Sequence, residues 1–249
     1  MPATPQFPDS LDDLSDEERH AVATVVAAAH RTFAAFADRP GSDYHRAPGK
    51  TPQQTWAQVT GDLARVGVLA AAAGRRDTRL VVTDVAGIHR AIFEPAFGPL
   101  PDPFRRNDEG VVYPIVLGTW TRPIASSARG VRPKQVGRRL TDALDNFETD
   151  LQRLAKHAQP GGAQLQDSVL AAAKLYVRVI RIHPFNDGNG RTAWVLFTYA
   201  MARVDLPLVA LPPTPDTRWA LGTALRNDAK QDFAPLTDLI VDTIRTSLA

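Results

Sequence analysis

Apolar residues recur every three to four positions along most of the chain, which is the pattern of amphipathic helices. The pattern predicts helices over residues 15–38, 52–73, 84–93, 133–157, 167–182, 217–229 and 235–248. A further helix is indicated by Val195, Leu196, Tyr199 and Ala202. Ser15 with Glu18, and Thr51 with Gln54, have the spacing of capping boxes, which start helices.

Residues 95–133 break this helical pattern and are rich in Pro, Gly and Arg. The best strand candidate is Val111–Leu117, and Pro114 restricts it to the edge of a sheet. The segment is either a connecting loop with one short hairpin or a flap that an extended partner segment joins as a further strand. It is flanked by Arg105, Arg106, Arg122, Arg129 and Arg132, each of which taken singly fits a solvated loop.

The most informative stretch is Ile182–Arg191, which reads Ile-His-Pro-Phe-Asn-Asp-Gly-Asn-Gly-Arg. His183 continues the apolar face of the helix before it, and Pro184 ends that helix. Asn, Asp and Gly then form a tight turn into the next helix, whose N-terminal amides and dipole attract an anion. Arg191 opposes the helix dipole and so indicates a bound anion, while Asp187 beside phosphates indicates Mg²⁺. His183, at the rim, is a candidate base.

Taken singly, each of these residues also fits a polar turn beside a buried histidine; taken together they do not. The run from His183 to Arg191 resembles the signature of Fic-domain proteins, His-Pro-Phe-x-Asp/Glu-Gly-Asn-Gly-Arg-x-x-Arg, with Asn186 at the variable position. The resemblance implies an all-α, Fic-type helical bundle with a short β-hairpin flap over the active site. We expect residues 1–249 to form a single domain of this kind, with N-terminal helices at about 15–80 and a motif core at about 83–230.

The resemblance also implies an activity, which is the transfer of AMP from ATP to a Ser, Thr or Tyr hydroxyl of a protein docked on the flap. By the matching positions, His183 is the general base and Asp187 holds Mg²⁺. The implied nucleotide and phosphate contacts are Asn186, Gly188, Asn189, Gly190, Arg191 and Trp219. Trp219 is included because the family often has an aromatic residue there near the base, although a plain helix-face aromatic fits equally well.

This chain departs from the signature at one position, because Trp194 stands where the signature has its final Arg. In the family that Arg contacts the terminal phosphate and pairs with an inhibitory Glu in a Ser/Thr-x-x-x-Glu-Gly/Asn segment. No Glu of this chain has that context, so we expect no glutamate lock. Trp194 then packs in the core, on the flap or on the nucleotide, and the sequence does not choose among these.

The amino-acid composition narrows the classes of function that remain. The net charge of +2 indicates no polybasic surface for nucleic acid or membranes, and the six His residues include no His-Glu-x-x-His zinc motif. The absence of cysteine excludes disulfides and thiolate chemistry. No signal peptide or membrane-spanning run is seen, so we expect a cytoplasmic protein, with delivery as an effector also compatible. His89 has no second catalytic group nearby in sequence and is expected to be structural.

Two other functions stay open. The same fold could transfer another group, such as UMP, GMP, a phosphoryl group or phosphocholine, and Trp194 favours this alternative. The second open function is that of a non-catalytic protein that binds a nucleotide or a partner. The intact His183, Asp187 and Arg191 argue against it. The sequence reveals neither the target nor the oligomeric state.

Overall fold

Helices make up most of the structure, as the apolar spacing predicts. The computed structural model describes residues 7–8, 10–37, 47–99, 114–119, 122–129, 131–156, 162–185, 188–226 and 231–248. Within these ranges the helices are α1 (Asp16–His20), α2 (Val22–Ala37), α3 (Pro52–Arg75), α4 (Val82–Phe97), α5 (Val136–Lys156), α6 (Gly162–Ile182), α7 (Asn189–Arg203), α8 (Pro215–Ala224) and α9 (Ala234–Leu248). Two strands, β1 (Pro114–Thr119) and β2 (Arg122–Arg129), lie between α4 and α5 in the chain.

Both predicted capping boxes are confirmed. The Ser15 hydroxyl accepts a hydrogen bond from the Glu18 amide at 3.2 Å, and the Thr51 hydroxyl accepts one from the Gln54 amide at 3.2 Å. In return, the Glu18 and Gln54 side chains each accept a hydrogen bond from the backbone amide of the capping residue at 2.8 Å. Local sequence therefore sets the starts of α1 and α3.

The predicted continuous helix over residues 15–38 is wrong, because a turn at Ala21 divides it into α1 and α2. Glu18 of α1 is buried, and its two carboxylate oxygens accept hydrogen bonds from Arg76 at 2.8 and 2.7 Å. This ion pair with the residue after α3 orients α1 separately from α2. Since the partners are far apart in the chain, helical periodicity does not reveal it.

Helix α4 is longer than the predicted range of 84–93 and includes Pro95. Proline lacks an amide hydrogen, so the carbonyl of Ala91, four residues earlier, loses its helical partner. The guanidinium of Arg65 in α3 donates to that carbonyl at 3.2 Å. A side chain from another helix therefore replaces the missing bond, and α4 continues to Phe97.

Three other boundaries differ from the prediction by a few residues. Helix α5 begins at Val136, after a 3-10 turn over Pro133–Gln135. Helix α6 begins at Gly162 instead of 167, and Leu165 in the added turn packs against the core. Helix α8 ends at Ala224 instead of 229.

Helix α7 occupies the centre of the helical core. Its residues from 191 to 201 are all buried, which is the behaviour of a helix surrounded by other elements. It contacts α3, α4 and α6. The N-terminus of α7, where the His183–Arg191 stretch lies, is therefore held by three neighbouring helices.

Strands β1 and β2 form a two-stranded antiparallel sheet. Leu117 is paired with Ile124, and Thr119 with Arg122. Of the predicted strand over 111–117, residues 111–113 lie outside the described residues. Strand β1 contacts α8, while a role as a flap over the active site stays a prediction. No helix within the described ranges has the length and apolar character needed to cross a membrane.

Candidate active site

His183 directly follows α6 in a backbone conformation that is uncommon for a residue with a side chain. Its φ is 54°, in the left-handed region, which costs about 1–2 kcal/mol for an L-residue. Its amide still donates to the Val179 carbonyl at 3.1 Å, so the helical ladder reaches this residue. Asp77 and Asp205, which follow α3 and α7, have similar φ values of 56° and 53°, so in this chain the conformation also ends other helices.

The half-buried imidazole of His183 is oriented by the end of α6. Its Nδ1 lies 3.3 Å from the carbonyl oxygen of Ile180. A carbonyl only accepts, so Nδ1 carries the hydrogen in this contact, and the lone pair is on Nε2. Nε2 is therefore the nitrogen able to take a proton from an incoming hydroxyl.

Asn189 closes the turn after His183. Its side-chain oxygen accepts from the amide of Phe185 at 2.9 Å, and its side-chain nitrogen donates to the carbonyl of Phe185 at 2.9 Å. Asn189 and Phe185 are both buried. The side chain of Asn189 thus shapes the turn, and its contribution to an anion site would come from its backbone amide at the start of α7.

Gly188 precedes α7 with φ of 79° and ψ of 4°. A Cβ at this position would lie 2.3 Å from Cε2 of Phe93, so a larger residue meets both backbone strain and a ring of α4. Gly190, in contrast, has open space where a Cβ would stand. One glycine lets the turn pack tightly on α4, and the other leaves the first turn of α7 accessible to a ligand.

Aromatic rings from α4 lie under the turn. His89 is buried and stacks on Phe185 with ring centroids 3.9 Å apart and an interplanar angle of 14°. The rings of His89 and Phe93 are 4.8 Å apart. His89 therefore supports the turn through stacking, and its purely structural role stays a prediction.

Arg191 lies in the first turn of α7 against two aromatic rings, those of Trp56 and Phe93. Its guanidinium carbon is 4.4 Å from the centroid of Trp56 in α3 and 5.3 Å from that of Phe93. Arg191 is 8% exposed and Trp56 7% exposed, so the contact is largely shielded from water. A desolvated cation–π contact of this kind contributes about 2 kcal/mol.

Trp194 is a core residue, which settles the choice that the sequence leaves open. The side chain is 0% exposed and packs edge-on against Phe33 of α2, with centroids 5.9 Å apart and an angle of 86°. A Cβ on Gly67 of α3 would lie 2.9 Å from the indole, so the absence of a side chain there makes room for the ring. The indole N–H is buried and makes no hydrogen bond within the described part of the chain.

Trp219 lies in α8, away from the buried face of that helix. Its side chain is 65% exposed, and α8 contacts strand β1 of the hairpin. An exposed ring is available for stacking, which keeps the predicted contact with a nucleotide base as a hypothesis. Asn186 and Asp187, the remaining predicted site residues, lie outside the described residues. No three His, Cys, Asp or Glu side chains among those described come together as a metal site.

Sequence reasoning missed Trp56 and Phe93. Both residues occupy ordinary apolar positions on their helices, where a ring that contacts Arg191 looks the same as any core aromatic. Their role depends on how α3 and α4 pack around α7, for which the local sequence contains no signal.

Comparison with known proteins identifies the family of this region. Residues 79–201 match the model of the Fic/DOC family. Protein adenylyltransferase fic-1 of Caenorhabditis briggsae is 32% identical over 82 residues, which is 33% of this chain and 14% of that protein. The match thus spans only a small part of the relative's length.

Solved structures share the fold. A Fic domain-containing signaling protein from Bacteroides thetaiotaomicron is similar with a TM-score of 0.63 at 14% identity, over 96% of this chain and 90% of that chain. IbpAFic2 in complex with adenylylated Cdc42 is similar with a TM-score of 0.50 at 13% identity, over 95% of this chain and 72% of that chain. At these identities the likeness shows the fold alone.

Proposed function

Since residues 79–201 of this chain form a Fic/DOC family domain, we propose that the protein is a nucleotidyltransferase that moves AMP from ATP to a Ser, Thr or Tyr hydroxyl of a protein. The observation that carries the proposal is the placement of His183. Its Nδ1 is held by the Ile180 carbonyl, and it directly precedes a glycine-containing turn at the N-terminus of α7. A base and an anion site are thereby built into one short segment.

His183 acts as the general base. Its Nε2 takes the proton of the acceptor hydroxyl, and the oxygen forms a bond to the α-phosphorus of ATP. The bond from that phosphorus to the bridging oxygen of the β-phosphate breaks, and pyrophosphate leaves with the electron pair. The hydrogen bond to Ile180 supports this role because it fixes the tautomer and the ring orientation.

The start of α7 binds the phosphates. The amides at a helix N-terminus and the positive end of its dipole favour an anion, and the open space at Gly190 allows close approach. Arg191, held between Trp56 and Phe93, adds a positive charge in the same turn. These groups stabilise the charge that develops on the phosphate oxygens.

The proposal includes Mg²⁺, with Asp187 as its protein ligand. A single carboxylate beside a phosphate site is the donor set that Mg²⁺ uses with nucleotides, because phosphates and water complete its coordination. Bound there, Mg²⁺ would neutralise phosphate charge. Asp187 immediately precedes Gly188, whose φ of 79° bends the chain at the start of α7.

The acceptor protein docks on the hairpin of β1 and β2, and Trp219 stacks on the nucleotide base. Support for the first part is that the hairpin is a two-stranded sheet, whose edges can pair with an extended segment. The complex of IbpAFic2 with adenylylated Cdc42 is an example of a protein partner of a similar fold. A cytoplasmic location remains part of the proposal.

A second candidate is transfer of a different group by the same residues. It is favoured by the burial of Trp194, because the side chain one turn after Arg191 packs on Phe33 and offers no charge to a terminal phosphate. A donor without a terminal γ-phosphate would lose nothing at this position. Among the alternatives, transfer of phosphocholine from CDP-choline fits this argument, while transfer of UMP, GMP or a phosphoryl group from a nucleoside triphosphate keeps the terminal phosphate and gains no support from it.

The test is to incubate the purified protein with Mg²⁺ and each nucleoside triphosphate or CDP-choline in turn. Intact-protein mass spectrometry then identifies the mass added to the protein itself or to lysate proteins. A gain equal to AMP that is absent from His183→Ala supports the proposal. A different added mass supports the second candidate, and no added mass with any donor contradicts both.

A further inference from the structure

Basic residues are concentrated in two segments, one that precedes the candidate active site in the sequence and one that includes His183. Residues 131–141 contain four Lys or Arg, residues 175–185 contain two, and neither segment contains Asp or Glu. The local charge of these two segments is therefore +6, in a chain whose net charge is only +2. The six residues are Arg132, Lys134, Arg138, Arg139, Arg178 and Arg181, and we call them the basic face.

The fold brings the two segments together next to His183. The amide of Val131, just before α5, donates to the carbonyl of Ile182 at the end of α6, at 3.3 Å. Arg139 of α5 and Arg181 of α6 are close enough to affect each other. Burial lowers the pKa of Arg181, and the positive charge of Arg139 lowers it further. The basic face thus spans the start of α5 and the end of α6.

Most charges of the basic face are not balanced within the described residues. Arg139 forms an ion pair with Asp142 at 3.9 Å, and the negative charge of Asp150 partly offsets the lowering of the Arg178 pKa by burial. No ion pair of Arg132, Lys134, Arg138 or Arg181 is seen among the described residues. Elsewhere, several exposed arginines of the helices are paired, such as Arg90 with Glu94 and Arg245 with Asp242. On α6, Nη1 of Arg178 is buried and has no hydrogen-bond acceptor among the described residues.

The part of the basic face on α5 opposes the stability of the fold, whereas Arg181 in the last turn of α6 interacts favourably with the dipole of that helix. Cations at the start of a helix interact unfavourably with its dipole, and the first turn of α5 contains no acidic residue. Like charges on α5 and α6 also repel across the helix pair. Since an opposite charge from outside would relieve both effects, the basic face has the character of a binding surface.

We propose that the basic face binds acidic residues of the protein that is modified, close to its acceptor hydroxyl. The proposal rests on the proposed function and specifies the class of its acceptor. The supporting geometry is the contact between Val131 and Ile182, since Ile182 precedes His183, at which the hydroxyl must arrive. Strand β2 ends at Arg129, so the basic face also continues from the hairpin on which the acceptor docks.

An acidic protein segment fits this surface better than a nucleic acid. Single-stranded nucleic acids are bound by basic grooves that also expose aromatic rings for stacking. The aromatic residues in the two segments, Tyr176 and Phe185, are 8% and 0% exposed. The basic face therefore offers charge without a stacking ring.

The experiment uses three peptides of equal length, each containing one Ser, one Thr and one Tyr separated by Glu, Gln or Lys. AMP transfer to each peptide is measured by mass spectrometry at low and high salt. The wild-type protein should modify the Glu peptide with the lowest KM, and high salt should remove this preference. The double variant Arg138→Gln/Arg181→Gln should raise the KM for the Glu peptide about tenfold, while the KM for ATP stays within about twofold.

The matched control is Arg31→Gln/Arg245→Gln, which removes two exposed charges from α2 and α9. It should leave the KM for the Glu peptide unchanged, and an equal increase in both double variants would overturn the proposal. Equal transfer to the Glu and Gln peptides would also overturn it.

Peptide binding, measured by fluorescence anisotropy, separates this inference from the proposed function. If the Glu peptide binds and the Arg138/Arg181 variant loses binding, but no peptide is modified, the basic face is supported and the transferase proposal fails. The absence of Glu-peptide binding by the wild-type protein would overturn the inference. Tighter binding of a single-stranded oligonucleotide than of the Glu peptide would overturn it in favour of nucleic acid.

Discussion

Replacement of Trp56 by Leu should weaken nucleotide binding through Arg191, a residue that it does not replace. The guanidinium of Arg191 lies 4.4 Å from the Trp56 ring, and the two residues are 8% and 7% exposed. A cation–π contact shielded in this way contributes about 2 kcal/mol. If that energy holds Arg191 in its phosphate-binding position, its loss raises the dissociation constant for ATP up to about thirtyfold.

The assay is titration calorimetry of ATP with Mg²⁺, combined with thermal unfolding of each variant. Trp56→Leu also leaves a smaller side chain in the core, so the free energy of unfolding should fall by about 2–3 kcal/mol. Trp56→Phe retains an aromatic face and should recover most of the affinity for ATP. This recovery distinguishes a contact with the guanidinium from simple packing.

The control is Trp194→Leu, which removes a buried indole that packs on Phe33. It should lower the melting temperature with a smaller effect on ATP affinity than Trp56→Leu. If Trp56→Leu and Trp194→Leu weaken ATP binding equally, or if Trp56→Leu binds ATP as the wild type does, then Trp56 does not position Arg191.

Four further outcomes are expected. His183→Ala should abolish covalent transfer, measured by mass spectrometry, while ATP binding survives; transfer at the wild-type rate would contradict the role of the base. Asp187→Ala should weaken ATP binding only in the presence of Mg²⁺, as seen by calorimetry with and without the metal, and an unchanged Mg²⁺ dependence would remove Asp187 from the site. Gly188→Ala should destabilise the protein by about 3 kcal/mol in chemical denaturation, because its Cβ would lie 2.3 Å from Phe93 in a left-handed backbone; wild-type stability would contradict that packing. Hydrogen bonds from Arg76 hold the pKa of the Glu18 carboxyl below its ordinary value, so this pair stabilises the fold at neutral pH and the stabilisation is lost as the pH falls below about 4.5. Glu18→Gln should therefore lower the melting temperature at pH 7 and make the melting temperature fall less steeply as the pH is lowered. If the melting temperature of the variant depends on pH as that of the wild type does, the pair contributes nothing.

The sequence alone determined the local features of this protein. Capping boxes act over three residues, and so the starts of α1 and α3 follow directly from Ser15 and Thr51. The predicted end of the helix at Ile182 and the glycine that precedes α7 in a left-handed conformation also appear in the structure. Each of these depends on residues that are neighbours in the chain, whose backbone preferences hold in any surroundings.

Only the tertiary structure decided what lies around that turn. The rings of Trp56 and Phe93 reach Arg191 because α3 and α4 pack on α7, and Trp194 faces Phe33 because α2 covers the same helix. The ion pair of Glu18 with Arg76, which accompanies the division of the first helix, likewise joins distant parts of the chain. Helical periodicity shows which face of α7 is apolar, but the identity of the partner on each side is set by the packing of helices far apart in sequence.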